Sequence, residues 1–185
     1  MTNIARTLIL IAALLGLASA ASAEPPTLNE KVVKFCKDKM GEKVGGGECA
    51  HLAEAALQYA GAKPRPAFKD YPKEGDYVWG KLAYTLEIKD DSQKETTVPK
   101  TSVEPGDIIQ FRNARFEGKN LRGGGGTYFI TCGHHTSIVV NVKKEDNILT
   151  VLEQNVGGKK IVVESTYRLS DLKTGWLRIY RPVPK

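Results

Sequence analysis

The helix-forming and the strand-forming segments of this chain lie in separate parts of the sequence, and this order limits the possible folds. From Thr27 to Gly41, apolar residues recur at helical spacing after a capping box of Thr27 and Glu30. A second helix, rich in alanine and leucine, is predicted to begin at or near Cys49 and to stop at Gly61. The predicted strands come later, at 82–88, 108–111, 135–142, 148–154, 161–167 and 176–180. Helices followed by strands predict an α+β domain, with N-terminal helices packed on an antiparallel β-sheet or a partly closed barrel.

The segment 112–133 contains the glycine run from Gly123 to Gly126 and is predicted to be a long irregular connection. Loops of this length in compact domains often form the lid or the rim of a site, and others have no such role. The sequence leaves both interpretations open.

The first residues have the pattern of a secretory signal peptide. One basic residue, Arg6, precedes an apolar stretch from Leu8 to Leu17, and small residues stand at Ala21 and Ala23. The stretch is about half as long as a bilayer-spanning helix requires, although a membrane anchor is the alternative. We therefore predict a signal peptide at 1–23, one domain at 24–185, no stable membrane span after signal removal, and a secreted or periplasmic location.

The chain is basic, with 27 Lys and Arg against 21 Asp and Glu and a net charge of +6. Removal of the signal peptide takes away only Arg6. A basic surface would be attracted to an anionic cell envelope, or it simply keeps the protein soluble. Export argues against a nucleic-acid partner, and we expect a monomer without a cofactor.

Three cysteines, Cys36, Cys49 and Cys132, leave one thiol unpaired whatever the pairing of the others. If Cys49 is the reactive thiol, Cys36 and Cys132 are available for a disulfide in an oxidising compartment. Two buried free thiols would explain the sequence equally well.

Cys49 is the candidate nucleophile because it opens a helix directly after the glycine run Gly45 to Gly47. The unpaired N–H groups and the positive end of the helix dipole stabilise a thiolate there. The alternative is that Cys49 is a small buried apolar residue.

A predicted β-hairpin around the turn 143–147 supplies a candidate base. If its strands pair symmetrically about the turn, His135 lies opposite Asn155, and a slip of two residues places it opposite Glu153. A slip of one residue would select His134 instead. We prefer His135, because Ser137 on the same face is small enough to let the Cys49 helix approach. The other interpretation is that Glu153, Gln154 and Asn155 are solvated turn residues.

Several residues are of the types that bind zinc. These are Cys49, His51, Cys132, His134 and His135. Cys49 and His51 are two apart on a helix and point to different sides, and no C-x-x-C or H-E-x-x-H spacing occurs. We expect no metal site, and His51 is expected to pack or lie exposed beside the nucleophile.

Several motifs occur together in the order of a known superfamily. They are the cysteine opening a helix, the turn Pro105-Gly106-Asp107 before IIQF, the strand HTSIV, and LEQN. This combination resembles the papain-like superfamily that includes CHAP amidohydrolase/peptidase domains and NlpC-type cell-wall hydrolases. It is more similar to the cysteine-proteinase-fold domain at the C-terminal end of fungal actin-patch adaptor proteins, which also occurs in bacterial proteins. The resemblance extends from Val32 to Pro182.

The resemblance implies that Cys49 is the nucleophile and His135 the general base, oriented by Glu153 and Asn155. The expected function is that of a secreted thiol hydrolase, of amidase or peptidase type, acting on a peptide or cell-envelope substrate. A non-catalytic recognition domain of the same fold is the alternative. We expect three further residues to line the cleft and contact substrate: His134, Trp79 and Tyr77. Trp79 could equally belong to the core.

Overall fold

The structure is a computed structural model that describes residues 24–68, 76–89, 92–97, 103–119 and 126–185. The predicted signal peptide, residues 1–23, lies outside the described residues. Among the helices that are described, none has the length and apolar character needed to cross a bilayer.

Two helices precede the strands, as the sequence predicts. Helix α1 (Leu28–Asp38) begins after Thr27, whose side chain and that of Glu30 form the predicted capping box. Helix α2 (Cys49–Ala60) begins at the candidate nucleophile and ends at Gly61. Gly61 has a φ of 78°, the left-handed conformation that commonly ends a helix at glycine.

The described strands form one antiparallel sheet of seven. They are β1 (Lys81–Lys89), β2 (Ser92–Thr97), β3 (Ile108–Lys119), β4 (Thr127–Lys143), β5 (Ile148–Glu153), β6 (Val163–Arg168) and β7 (Leu172–Arg181). Their spatial order is β2-β1-β7-β3-β4-β5-β6, so β2 and β6 are the two edges and the sheet is open. The predicted α+β class is confirmed, in its open-sheet form. The polar strand β2 was not predicted, because SQKETT has none of the apolar alternation typical of a strand.

The predicted irregular connection at 112–133 is wrong for most of its length. Its two ends extend β3 and β4 into a long hairpin, paired from Arg112–His134 to Lys119–Thr127. Alternate residues of this extension are packed against a hydrophobic cluster, among them Phe116 and Ile130. The burial of one face stabilises these paired strands.

The core has two clusters, one on each face of the sheet. The cluster under the helices includes Ile108 and Ile138, and the other includes the neighbouring residues Ile109 and Val139. Successive strand residues point to opposite faces, so these neighbours show which face each cluster occupies. The helices cover one face, and α2 begins with Cys49 near β4, where the site is formed.

Candidate active site

The loop before α2 is compact because its glycines allow close contacts. Nδ1 of His51 accepts hydrogen bonds from the N–H groups of Gly46 at 3.0 Å and Glu48 at 3.4 Å. A Cβ atom on Gly46 would lie 2.8 Å from the His51 ring. Gly47 has a φ of 84°, in the left-handed region that favours glycine. His51 therefore has a structural role next to the nucleophile, and the glycine run brings the chain into the helix at Cys49.

Cys49 is buried and hydrogen-bonded to His135. Burial alone would raise the pKa of the Cys49 thiol. The hydrogen bond and charge of His135, together with backbone hydrogen bonds from Thr136 and Ala50, outweigh burial and lower this pKa below its ordinary 9.0. The sulfur therefore lies where a thiolate is favoured.

The register of β4 and β5 agrees with symmetric pairing about the turn. Ile138 pairs with Leu152 and Val139 with Val151, which is the symmetric register, and a bulge between Val139 and Asn141 shifts the pairs nearer the turn by one residue. The described pairing stops at Ile138. The next position, Ser137, therefore lies opposite Glu153. His135, two residues further along β4, is on the same face and is the diagonal neighbour of Glu153.

His135 lies between Glu153 and Cys49 and interacts with both. Its Nε2 lies 3.0 Å from Glu153 Oε2, which leaves Nδ1 for the sulfur. Burial favours the neutral imidazole, but the hydrogen bonds and negative charges of Cys49 and Glu153 raise the pKa of His135 from 6.5 to about 9. The pKa of Cys49 is lowered while that of His135 is raised, so each group favours the charged form of the other.

Glu153 is a fully buried carboxylate that accepts hydrogen bonds from several side chains. Besides His135, the Ser137 hydroxyl donates to Oε2, Tyr167 donates to both oxygens at 3.3 and 3.2 Å, and Ser165 makes a further bond. Burial would raise the pKa of Glu153, but His135 and then the two serines hold it below its ordinary 4.5. Glu153 is therefore the group that orients His135.

Asn155 does not contact His135 in the way the sequence suggested. Its Nδ2 donates to Glu48 Oε2 at 2.7 Å, and its φ of 64° takes the chain out of the β5 direction. The alternation that would place Glu153 and Asn155 on one face ends with β5, which stops at Glu153. The expectation that Asn155 orients His135 is therefore wrong, and Glu153 alone of the two contacts the imidazole.

A cleft of about 200 Å³ opens on the sulfur. It is lined by Cys49, Ile130, Thr131, Cys132, Gly133, His134, His135, Asn155, Val156, Gly157 and Tyr167. His134 lies in this lining, and its ring packs edge-on against the Tyr77 ring, with 4.6 Å between the ring centroids. Trp79 is fully buried and donates to Gln110 Oε1 at 3.0 Å. The prediction that Trp79 contacts substrate is therefore wrong, because its ring belongs to the core under the helices.

Comparison with known proteins identifies the family. The family model described as "AIM3/BBC1 Cysteine proteinase-fold domain" matches residues 23–185. The chain belongs to this family. "Altered inheritance of mitochondria protein 3" of Debaryomyces hansenii is 31% identical over 157 residues, which cover 84% of this chain and 16% of that protein. This member of the family therefore spans a small part of the length of that relative.

Among solved structures, Ly7917 is similar, with a TM-score of 0.46 and 19% identity. Ly7917 with the hydrolyzing product of MDP gives a TM-score of 0.45 and 18% identity. Both comparisons cover 85% of this chain and 63% of the other. The family match itself confirms the cysteine-proteinase fold that the sequence motifs indicated.

In this member of the family Cys36 and Cys132 are free and buried, so the disulfide considered from the sequence is not formed. Cys36 belongs to the cluster under the helices and Cys132 to the cluster on the opposite face, so the sheet separates the two thiols. Burial raises the pKa of each to about 12. Cys49 is therefore the thiol disposed to react. Across the described part of the chain, no three His, Cys, Asp or Glu residues are grouped so as to hold a metal ion.

Sequence reasoning missed two buried residues of the site, Tyr167 and Gln154. Tyr167 donates to Glu153, and its hydroxyl lies 3.6 Å from the Cys132 sulfur. Tyr167 ends the predicted strand 161–167, and its sequence neighbours do not point to Glu153. In the sheet it pairs with Leu149, on the strand that carries Glu153. Gln154 contacts the loop before α2. In the run LEQN, Gln154 is adjacent to the candidate carboxylate Glu153. The sequence does not reveal its partners, because they lie about a hundred residues away in the chain.

Proposed function

We propose that this chain is a thiol hydrolase that cleaves an amide or similar acyl bond. The supporting observation is the continuous contact from Cys49 to His135 to Glu153 at the cleft. Cys49 is the nucleophile, His135 transfers protons, and Glu153 holds the imidazole in one orientation and stabilises its charge.

In this mechanism the proton of Cys49 already resides on His135 when substrate arrives. The thiolate attacks the acyl carbon and forms a thioester, while the bond to the leaving group breaks and the leaving group takes the proton from His135. Water then attacks the thioester, gives a proton to His135 and releases the acid, and the Cys49 thiolate is restored. His135 therefore acts first as an acid and afterwards as a base.

Negative charge on the acyl oxygen would develop next to the start of α2. The N-terminal N–H groups of that helix lie around Cys49 and carry the positive end of its dipole. Such groups stabilise an oxyanion when they are fixed in advance.

The proposed substrate is a peptide or another amide-bearing component of the cell envelope, reached after export. The basic composition and the signal-like N-terminus support this proposal. Export is tested by sequencing the N-terminus of protein recovered outside the cytoplasm. Residue Glu24 is the expected first residue, and a retained Met1 would contradict export.

Activity is tested by incubating purified protein with peptide mixtures and with purified peptidoglycan, and measuring new N-termini by mass spectrometry. Cleavage is expected, and it should be lost in both Cys49→Ala and His135→Ala. A matched control is Cys36→Ala, which removes a thiol remote from the cleft. Binding without cleavage, unchanged in Cys49→Ala, would contradict the proposal and indicate a recognition domain.

A further inference from the structure

The end of strand β5 contacts both partners of the site. Successive side chains of a strand point to opposite faces. Glu153 reaches His135, while Gln154 reaches the loop before α2 on the other face. Two consecutive residues at the end of β5, Glu153 and Gln154, therefore contact His135 and the loop that leads into α2.

Gln154 is fully buried, and its whole amide group is paired with the backbone of that loop. Its Oε1 accepts from the Val44 N–H at 3.1 Å, and its Nε2 donates to the Val44 carbonyl at 3.0 Å. The Nε2 also donates to the Glu48 carbonyl at 2.6 Å. This carbonyl belongs to the peptide bond between Glu48 and Cys49. Gln154 therefore holds the peptide group adjoining the nucleophile, in an interior where an unpaired amide would be costly.

Asn155 binds the side chain of Glu48. Its Nδ2 donates to Glu48 Oε2 at 2.7 Å, and Lys160 Nζ donates to Glu48 Oε1 at 2.8 Å. Asparagine tolerates the left-handed conformation of position 155 better than most residues do. Glu48 is therefore held through its carbonyl by Gln154 and through its carboxylate by Asn155.

We propose that Gln154 and Asn155 are positioning residues for Cys49. They fix Glu48, and thereby the first turn of α2, so that the sulfur stays in contact with His135. This inference rests on the proposed function of the Cys49–His135 pair, and it extends that function to residues whose contacts are with Glu48. The end of β5 then positions both Cys49 and His135.

The test follows the alkylation of Cys49 by iodoacetamide across pH, with peptide-resolved mass spectrometry to separate Cys49 from the other thiols. Gln154→Met keeps a side chain of similar length and removes three hydrogen bonds. We expect the pKa of Cys49 to rise and its alkylation rate at neutral pH to fall about tenfold, which corresponds to about one pKa unit. Leu57→Ala is the matched control, because it opens a cavity in the same helix away from the loop. It should lower the melting temperature and leave the pH profile unchanged.

A wild-type pH profile in folded Gln154→Met, with only a lower melting temperature, would overturn the inference. If Gln154→Met does not fold, Asn155→Gly provides the second test, because glycine adopts the left-handed conformation without the side-chain contact. It should raise the pKa of Cys49 by a smaller amount, and an unchanged profile would overturn the inference.

The same data separate this inference from the proposed function. A wild-type Cys49 that titrates as a free thiol, with no effect of His135→Ala, would refute both. A lowered pKa that is lost in His135→Ala but kept in Gln154→Met and Asn155→Gly would refute only the positioning role.

Discussion

The substitution Glu153→Gln is the most direct test of the proposed chemistry, because it removes one charge and almost no volume. The carboxylate is fully buried and lies 3.0 Å from His135 Nε2. Despite its burial, the pKa of His135 is raised from 6.5 to about 9 by Cys49 and Glu153. At about 1.4 kcal/mol for each pKa unit, the two partners stabilise the imidazolium by roughly 3 to 4 kcal/mol beyond the cost of burial.

If Glu153 contributes about half of that energy, its loss makes the imidazolium about 2 kcal/mol less stable, which lowers the population of the ion pair at least tenfold. The pKa of His135 should fall, and that of Cys49 should rise, because each favours the charged form of the other. Alkylation of Cys49 by iodoacetamide at neutral pH should then be about tenfold slower than in the wild type.

The assay measures the alkylation rate of Cys49 from about pH 4 to about pH 10, together with the titration of the His135 ring by NMR. The matched control is Glu164→Gln, which removes the same charge at an exposed position of β6. It should behave as the wild type does. Identical profiles for Glu153→Gln and the wild type would show that the carboxylate does not stabilise the imidazolium, and would refute the reasoning.

The same substitution changes the acid stability of the fold. The pKa of Glu153 is below its ordinary 4.5 in the folded state, so its contribution to stability is complete above that value and is lost as the pH falls through the lower folded pKa. Urea denaturation in the acid range should therefore show a steeper loss in the wild type than in Glu153→Gln. Parallel curves would contradict this expectation.

In the folded protein, iodoacetamide at neutral pH should label Cys49 and spare Cys36 and Cys132, whose burial raises their pKa to about 12; in urea all three should react, as peptide mapping will show. Trp79→Phe should leave the alkylation of Cys49 unchanged and lower the free energy of unfolding by about 1–2 kcal/mol, since the indole loses its buried hydrogen bond. A large fall in alkylation would show that Trp79 has a role in the site. Asp107→Asn removes a fully buried charge paired with an arginine of β7 and should destabilise the fold by about 3 kcal/mol in urea denaturation. A change near zero would refute the importance of that pair.

The parts of the fold that depend on local chemistry could be predicted from the sequence. The capping box at Thr27, the glycine before Cys49 and the stop at Gly61 each act within a few residues, and both helices form where they indicate. The preference for His135 as the partner of Cys49 rests on the small Ser137 on the same face and on the resemblance, and the two groups interact in the structure.

The parts that depend on distant contacts could not be predicted in this way. Glu153 and Asn155 share one face only if the strand continues past Glu153, but β5 ends there, and Asn155 instead binds Glu48, which is distant in the sequence. The extension of β3 and β4 depends on burial against residues such as Tyr167 and Leu172, which come later in the chain. The separation of Cys36 from Cys132 likewise follows from the position of the sheet between them.

The bulge at Val140 determines which changes of length this hairpin can accept. On the side of the turn, Asn141 pairs with Thr150, and on the side of the active site, Val139 pairs with Val151. Val140 is therefore the one residue between them without an opposite partner in this register. Removing Val140 would join the two paired regions directly and leave Glu153 beside His135. Removing any other strand residue between Val139 and Glu153 would reverse the faces of the residues beyond it. Relatives that keep this mechanism should therefore gain or lose residues in the turn at 144–147 or at Val140, and keep the rest of the segment at constant length.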